Sequence, residues 1–265
     1  YTIDDKITIQ VQFDEIVLVE GNPQLKLETG AVDAIASYSG GSNSDVLNFT
    51  YIVAEEQNTI DLDYINSDAL TLNGGIITDF VGNTGNLSLP DPGSEGSLGS
   101  NKNIVVDTNG PPEITNASIG DGSMLSVLTD SKIIFTTSEP VTSAKIILQS
   151  SLGDSPSASL NIDDPTHVSV NLTAPFTSGD ELTLTVNELT DYAGNITNGL
   201  VYNYSISLIS DFNTDGSIDA ADMTVLINGW SNKDYAYELG PTTGDVPNLK
   251  PALDGKFDIM DAAVL

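Results

Sequence analysis

Ile7-Thr8-Ile9-Gln10-Val11-Gln12-Phe13 alternates apolar and polar residues with a period of two, the pattern of a β-strand with one face buried. It returns in Gln24-Leu25-Lys26-Leu27 and in Leu47-Asn48-Phe49-Thr50-Tyr51-Ile52-Val53, and shorter runs follow at 70–72, 87–89 and 104–106. Short strands divided by turn residues predict sandwiches rather than βαβ units. In Asp107-Thr108-Asn109-Gly110-Pro111-Pro112 each proline lacks an N–H and fixes its φ, so no central strand continues there. A domain boundary is expected at that point. Beyond it the scheme repeats, with strands expected over 132–137, 144–149, 167–172, 181–186 and 200–206.

Two local motifs recur in the same order, which marks an internal repeat. An apolar strand ending in Phe and followed by Glu appears as Phe13-Asp14-Glu15 and as Phe135-Thr136-Thr137-Ser138-Glu139-Pro140. Asp-x-x-Gly-Asn appears as Asp79-Phe80-Val81-Gly82-Asn83 and as Asp191-Tyr192-Ala193-Gly194-Asn195. If both turns lie at the end of the sandwich that receives the linker, Glu139, Asp191 and Asn195 converge with Asp107 on one calcium ion. By the repeat, Glu15, Asp79 and Asn83 form the equivalent site in the first module. The competing reading is that these Asp and Asn residues only build turns, by bonding the local backbone.

Residues 1–109 and 110–208 resemble the bacterial Ig-like repeats of large surface adhesins and secreted multidomain proteins. The match is carried by Leu70-Thr71-Leu72-Asn73-Gly74-Gly75 with Ile77-Thr78-Asp79, and by Leu182-Thr183-Leu184-Thr185-Val186 with Leu189-Thr190-Asp191. The resemblance implies two tandem β-sandwiches acting as spacers or adhesive units, and it names no ligand. It also implies an opening strand after a Pro-Pro linker, as in Pro111-Pro112-Glu113-Ile114-Thr115-Asn116-Ala117. Tyr1 leads straight into the following strand, so the first sandwich is expected to lack its first strand. A neighbouring subunit would supply one beside residues 7–13.

After residue 208 comes Asp211-Phe212-Asn213-Thr214-Asp215-Gly216-Ser217-Ile218-Asp219-Ala220-Ala221-Asp222, an EF-hand-type loop. Calcium takes six to eight oxygens, and alternate positions of a tightly curved loop aim them at one point. Asp211, Asn213 and Asp215 stand at positions one, three and five, Gly216 permits the turn at six, and Ser217 offers its carbonyl at seven. Asp219 at nine acts through water and Asp222 at twelve closes the site. Aspartate at twelve, a short helix over 222–228 ending at Gly229, and a weaker downstream copy resemble a type I dockerin. In that copy Asp254-Gly255-Lys256-Phe257-Asp258-Ile259-Met260-Asp261 fits positions five to twelve. Lys250 and Ala252 fall on positions one and three, so weak calcium binding or none is expected, with Ile218 and Phe257 paired in a β-bridge. The resemblance implies a cohesin-like partner bound through Ala220, Ala221, Ile259 and Met260. The degenerate second loop suggests instead a clasp onto the neighbouring sandwich.

The fold class read from the 265 residues is thus all-β, two Ig-like sandwiches (1–109 and 110–208) with a small helical dockerin-like module (209–265). The chain carries 38 Asp+Glu against 8 Lys+Arg, a formal net charge of −30. So few basic residues cannot form the stripe that binds phosphate backbones or anionic lipid, so neither nucleic acid nor membrane insertion is expected. Calcium is the cofactor that such clustered carboxylates suit. There is no cysteine, hence neither a disulfide frame nor a thiolate site. The single histidine, His167, stands at a strand start without a readable partner, Trp230 reads as packing, and no nucleophile assembles. The chain is therefore read as a non-enzymatic extracellular or bacterial-type cell-surface protein. It would be a subunit or spacer of a fibre, sheath or adhesin, self-associating or bound to a neighbouring surface protein. The alternative is an accessory region of a secreted enzyme docked to a cohesin-bearing scaffold.

Overall fold

The period-two stretch at residues 7–13 lies within the longest strand of the first of two units, Tyr1–Gly110 and Pro111–Leu265, in a computed structural model that describes residues 1–264. The first unit contains β1 (Lys6–Glu20), β2 (Gln24–Glu28), β3 (Ala34–Gly40), β4 (Ser44–Ile52), β5 (Asp63–Tyr64), β6 (Leu70–Thr71), β7 (Ile76–Thr78) and the one-turn helix α1 (Leu98–Asn101). The strands hydrogen-bond in the order β5-β2-β3-β4-β1-β7, with β6 also on β2, and every pairing is antiparallel. Register follows the alternation, since Ile7 faces Tyr51 and Ile9 faces Phe49, all four of them buried. Between Gln12 and Val17 the register of β1 breaks, and Leu18, Val19 and Glu20 change partner to β7.

Three expectations in this unit change. Residues 87–89 form no strand, and 104–106 yields only a bridge from Val106 to Thr59. β3 was not expected, because Ala34 and Ala36 bury fully with little hydrophobic signal. The Tyr1 ammonium donates to the Val105 carbonyl at 2.8 Å, and the Asp107 N–H donates to the Tyr1 carbonyl at 2.8 Å. The start of the chain is therefore laid along residues 105–107, not along β1.

The second unit contains β8 (Ile114–Ala117), β9 (Met124–Leu125), β10 (Ser131–Thr137), β11 (Val141–Ser150), β12 (Ser157–Asp164), β13 (His167–Thr173), β14 (Glu181–Asp191), β15 (Ile196–Thr197) and β16 (Leu200–Ile206). They form a four-stranded sheet, β12-β13-β10-β8, and a five-stranded sheet, β11-β14-β16-β9, with β15 on β14. Phe135 and Val170 from the first sheet share one core with Leu184 and Tyr204 from the second, each fully buried. This is a sandwich-like arrangement. β12 escaped the sequence reading because only Ala158 and Leu160 are even half-buried in it.

The chain ends in α2 (Ala220–Asn232), a single 3-10 turn (Tyr235–Tyr237), the hairpin strands β17 (Thr242–Thr243) and β18 (Lys250–Pro251), and α3 (Ile259–Ala262). Among the described residues no helix is long and apolar enough to cross a membrane. Helix α2 is longer than the expected 222–228. It starts after the N-cap Asp219, whose capping box with Asp222 satisfies the first turn. It also runs through Gly229, where a Cβ would lie 2.8 Å from Cβ of Tyr237. That glycine permits the close approach of Tyr237, and the helix stops at Lys233, in the left-handed region at φ 55°.

The hairpin holds this segment to its sandwich. The Leu249 carbonyl accepts from the Ser178 N–H at 2.8 Å, the Asn248 side chain donates to the Ser178 carbonyl at 3.1 Å, and Lys250 Nζ lies 2.6 Å from Asp154 Oδ2. The Lys250 ammonium, helped by the Thr177 hydroxyl, holds the Asp154 carboxyl below its usual value against the cost of burial. Truncation of Phe135 to Ala leaves a cavity at the centre of the second core. Urea unfolding of that unit should show a loss of about 3–5 kcal/mol. A loss under ~1 kcal/mol would mean that the two sheets do not share this core.

Candidate metal centres

Asp211 and Asp222, at positions one and twelve of the first loop, are buried to 2% and 0% exposure. Backbone amides bind both. Asp211 accepts from the Asp215 N–H at 3.2 Å and the Gly216 N–H at 3.0 Å. Asp222 Oδ1 accepts from Phe212 at 2.9 Å and Asn213 at 3.4 Å, and its Oδ2 accepts from Asp219 at 2.9 Å. The Asp219 N–H first, then those of Phe212 and Asn213, hold the Asp222 carboxyl below its ordinary value despite burial. Gly216 sits at φ +87°, where a side chain would be strained. Asn213 donates to Asp215 Oδ2 at 2.8 Å, Asp215 Oδ1 accepts from Ser217 N–H at 2.9 Å, and Asp219 Oδ1 caps Ala221 N–H at 2.7 Å. Among the described residues no three carboxylates of this loop place oxygens within 4.8 Å of one another. The side chains are turned to the amides of their own loop.

The downstream copy repeats this network, but not from Lys250. Asp261, 0% exposed, accepts at Oδ1 from Leu239 N–H at 2.9 Å and Gly240 N–H at 3.1 Å, and at Oδ2 from Asp258 N–H at 2.7 Å. Glu238, 1% exposed, accepts from the N–H groups of Asp254 and Gly255, as Asp211 does from Asp215 and Gly216. Asp254 Oδ1 accepts from Lys256 N–H at 3.0 Å, as Asp215 Oδ1 accepts from Ser217 N–H. Position one is therefore Glu238 and position three is Gly240. The hairpin at 241–252, closed by the Ala252 N–H on the Pro241 carbonyl at 2.7 Å, interrupts the loop before position five. Counting back along the sequence from Asp254 lands inside that insertion, which is why Lys250 and Ala252 were misplaced as ligand positions. The expected bridge between Ile218 and Phe257 is absent among the described residues. Phe257 instead stacks on Trp230 and Tyr235, each with ring centroids 5.4 Å apart.

In the second sandwich, Asp191 closes the Asp-x-x-Gly-Asn turn. Its Oδ1 accepts from Gly194 N–H at 2.7 Å and Asn195 N–H at 2.9 Å. Its Oδ2 is buried and accepts no hydrogen bond, and an oxygen of the buried Glu139 lies within 4.8 Å of an Asp191 oxygen. Two buried carboxylates this close, one with an orphan oxygen, are costly unless a cation or a proton joins them. The donor set fits a hard cation.

The equivalent turn in the first unit differs. Asp79 Oδ1 accepts from Val81 and Asn83 N–H groups at 2.8 and 2.9 Å, and Asn83 donates its side-chain amide to Oδ2 at 2.6 Å. Burial pushes the Asp79 carboxyl up, but the Asn83 bonds outweigh it and hold it low. Glu15, Asp79 and Asn83 do border one cavity, yet Asn83 presents a donor to Asp79, as a turn requires. Asp107, in the first unit, accepts from Asn109 N–H at 2.9 Å. His167 does have a partner, Asp164, with Nδ1 at 2.9 Å.

Glu238→Ala should speed amide exchange at Asp254 and Gly255 at least tenfold, with Lys250→Ala leaving it unchanged. The reverse pattern would restore the uninterrupted register. Asp222 carries a depressed value in the folded chain, so its stabilisation is present above the ordinary carboxylate range and is lost as pH falls through the lower folded value. Melting temperature should drop on acidification below about pH 4, with a smaller drop in Asp222→Asn.

No protein-family model matches this chain, and no curated protein does. Among solved structures, the crystal structure of Rst D1-D2 aligns with 78% of this chain and 92% of its own at 9% identity and a TM-score of 0.31, too low to carry an argument.

Proposed function

We propose that the chain is a non-enzymatic, calcium-stabilised structural or adhesive protein of the cell surface or extracellular space. In this reading two Ig-like sandwiches act as spacers in a fibre, sheath or adhesin, held by self-association or by a neighbouring surface protein. The dockerin-like terminal module locks onto its own sandwich. The observation that carries the reading is the duplication of one network: Asp211 with Asp222, and Glu238 with Asp261, each pair buried and accepting from backbone amides at equivalent positions of its own loop. Asp211, Asn213, Asp215, Asp219, Asp222 and the Ser217 carbonyl supply an oxygen set suited to calcium. Glu238, Asp254, Asp258 and Asp261 supply a second, poorer by one side chain because Gly240 has none. Glu139 and Asp191 form a third cation position in the second sandwich, supported by the orphan Asp191 oxygen.

One observation favours the docking alternative. Met223, Ile227 and Trp230 border a shallow apolar groove of about 370 Å³ on the terminal module, and Ile259 and Met260 are exposed close by in sequence to its Ala262 wall. Such a patch suits a cohesin-like partner.

Calorimetry tests the calcium reading. Asp211→Ala and Asp215→Ala should each abolish one class of binding, and Glu238→Ala a second, weaker class. A ligand that binds only the folded state stabilises by RT ln(1 + [L]/Kd), so chelation should lower the melting temperature of the wild-type chain by more than that of a chain carrying all three substitutions, which keeps only the Glu139–Asp191 position. Unchanged binding in all three variants would sink the assignment.

A further inference from the structure

Both loops of the terminal segment place an aspartate at position five, and in each the second oxygen of that aspartate is covered by a different group. In the first loop Asp215 Oδ2 accepts from the Asn213 side-chain amide at 2.8 Å, a neutral donor supplied from position three. In the second loop position three is Gly240, which has no side chain to offer. Nor is there room for one, because a Cβ on Gly240 would lie 2.8 Å from the Met260 carbonyl carbon. The vacancy is filled from position seven. There Lys256 stands where the first loop has Ser217, and its Nζ donates to Asp254 Oδ2 at 3.0 Å.

This exchange of donors changes the electrostatics of the loop. The first loop, Asp211 to Asp222, contains no basic residue, so only dipoles face its carboxylates. In the second loop a full positive charge does. The hydrogen bond to Asp254 first, then the charges of Asp254, Asp258 and Glu238, raise the Lys256 ammonium above its ordinary value against the cost of desolvation. Of the acids assigned above to a cation in this loop, all but Asp261 therefore already act on one ammonium. The Lys256 side chain is 69% exposed, so the pair adds little to stability by itself. An incoming divalent ion nevertheless meets a unit charge seated on one of its ligand oxygens, and at a few ångströms that repulsion is large enough to set affinity.

We infer that Lys256 is the built-in cation of the second loop, where its ammonium lets the loop close without metal and discriminates against calcium. The first loop has no such charge and depends on the ion itself. Lys256 thus sets the specificity of a site that rests on the calcium reading proposed above. The consequence is an asymmetric response to calcium depletion: the first loop loosens, while the second stays closed and keeps the ends of the hairpin at 241–252 together.

The test uses the full chain carrying Asp211→Ala, which silences the first loop. With a chelator present, Lys256→Met should speed amide exchange at Asp254 and Gly255, whose N–H groups Glu238 accepts, by about threefold, the size an exposed ion pair supports. Lys256→Arg, which keeps the charge, should exchange at the parental rate. Titration with calcium in a calorimeter then reads the binding class that a further Glu238→Ala abolishes. Lys256→Met should tighten that class by about tenfold and Lys256→Arg should not. The gain should shrink in about 1 M potassium chloride, where charges are screened over roughly 3 Å, a dependence that lost packing would not show. Unchanged exchange in Lys256→Met would overturn the inference, as would equal calcium affinity with and without the lysine, or Lys256→Arg behaving as Lys256→Met does. Faster exchange in Lys256→Met with no such binding class in any of the chains would instead remove the second loop from the calcium reading and leave the ammonium as its cation.

Discussion

Buried carboxylates bonded to backbone amides organise both loops of the terminal segment. Asp222 and Asp261 each accept from three N–H groups, and Asp211 and Glu238 each accept from two. A turn buries N–H groups that no ladder can satisfy, and leaving one unmet costs about 1–3 kcal/mol. A single carboxylate meets several at once with charge-assisted bonds. Much of the acidic excess is therefore structural at specific positions. The same side chains are those that the calcium reading proposed above assigns to the cation, so in that reading loop stability and cation binding depend on one set of side chains.

What the sequence disclosed follows from where the signal is local. The alternation at residues 7–13 and 47–53 became paired strands because one face of each must be buried, and one period sets the register of the whole strand. The first loop was legible as a loop because the residues of its hydrogen-bond network, Asp211 to Asp222, are contiguous in sequence. The second was only half legible, because the hairpin at 241–252 separates Gly240 from Asp254 while the hydrogen bonds close across it. A cue existed in the pairing of Asp211-Phe212 with Glu238-Leu239, an acid before a large apolar residue in both copies. β3 and β12 were hidden for another reason. Alanine and serine carry little hydrophobic signal, and their strands are specified by neighbours.

The hairpin insertion changes what the second loop can do. Its residues 248–250 bond Ser178 and Asp154 on the sandwich, while its two ends run into Gly240 and, through Leu253, into Asp254, both inside the loop network. Anything that tightens the loop therefore reduces the freedom of the tip, and release of the tip lengthens the loop that Glu238 and Asp261 must close. Loop closure entropy grows only slowly with length, so an insertion of this size is tolerated when its tip is anchored. The departure from an uninterrupted loop thus looks like the connection itself: the residues that break the loop are those that fasten the terminal segment to its sandwich. Asp154 illustrates the consequence, because its carboxyl is held low by Lys250 from the far end of the sequence, 96 residues away.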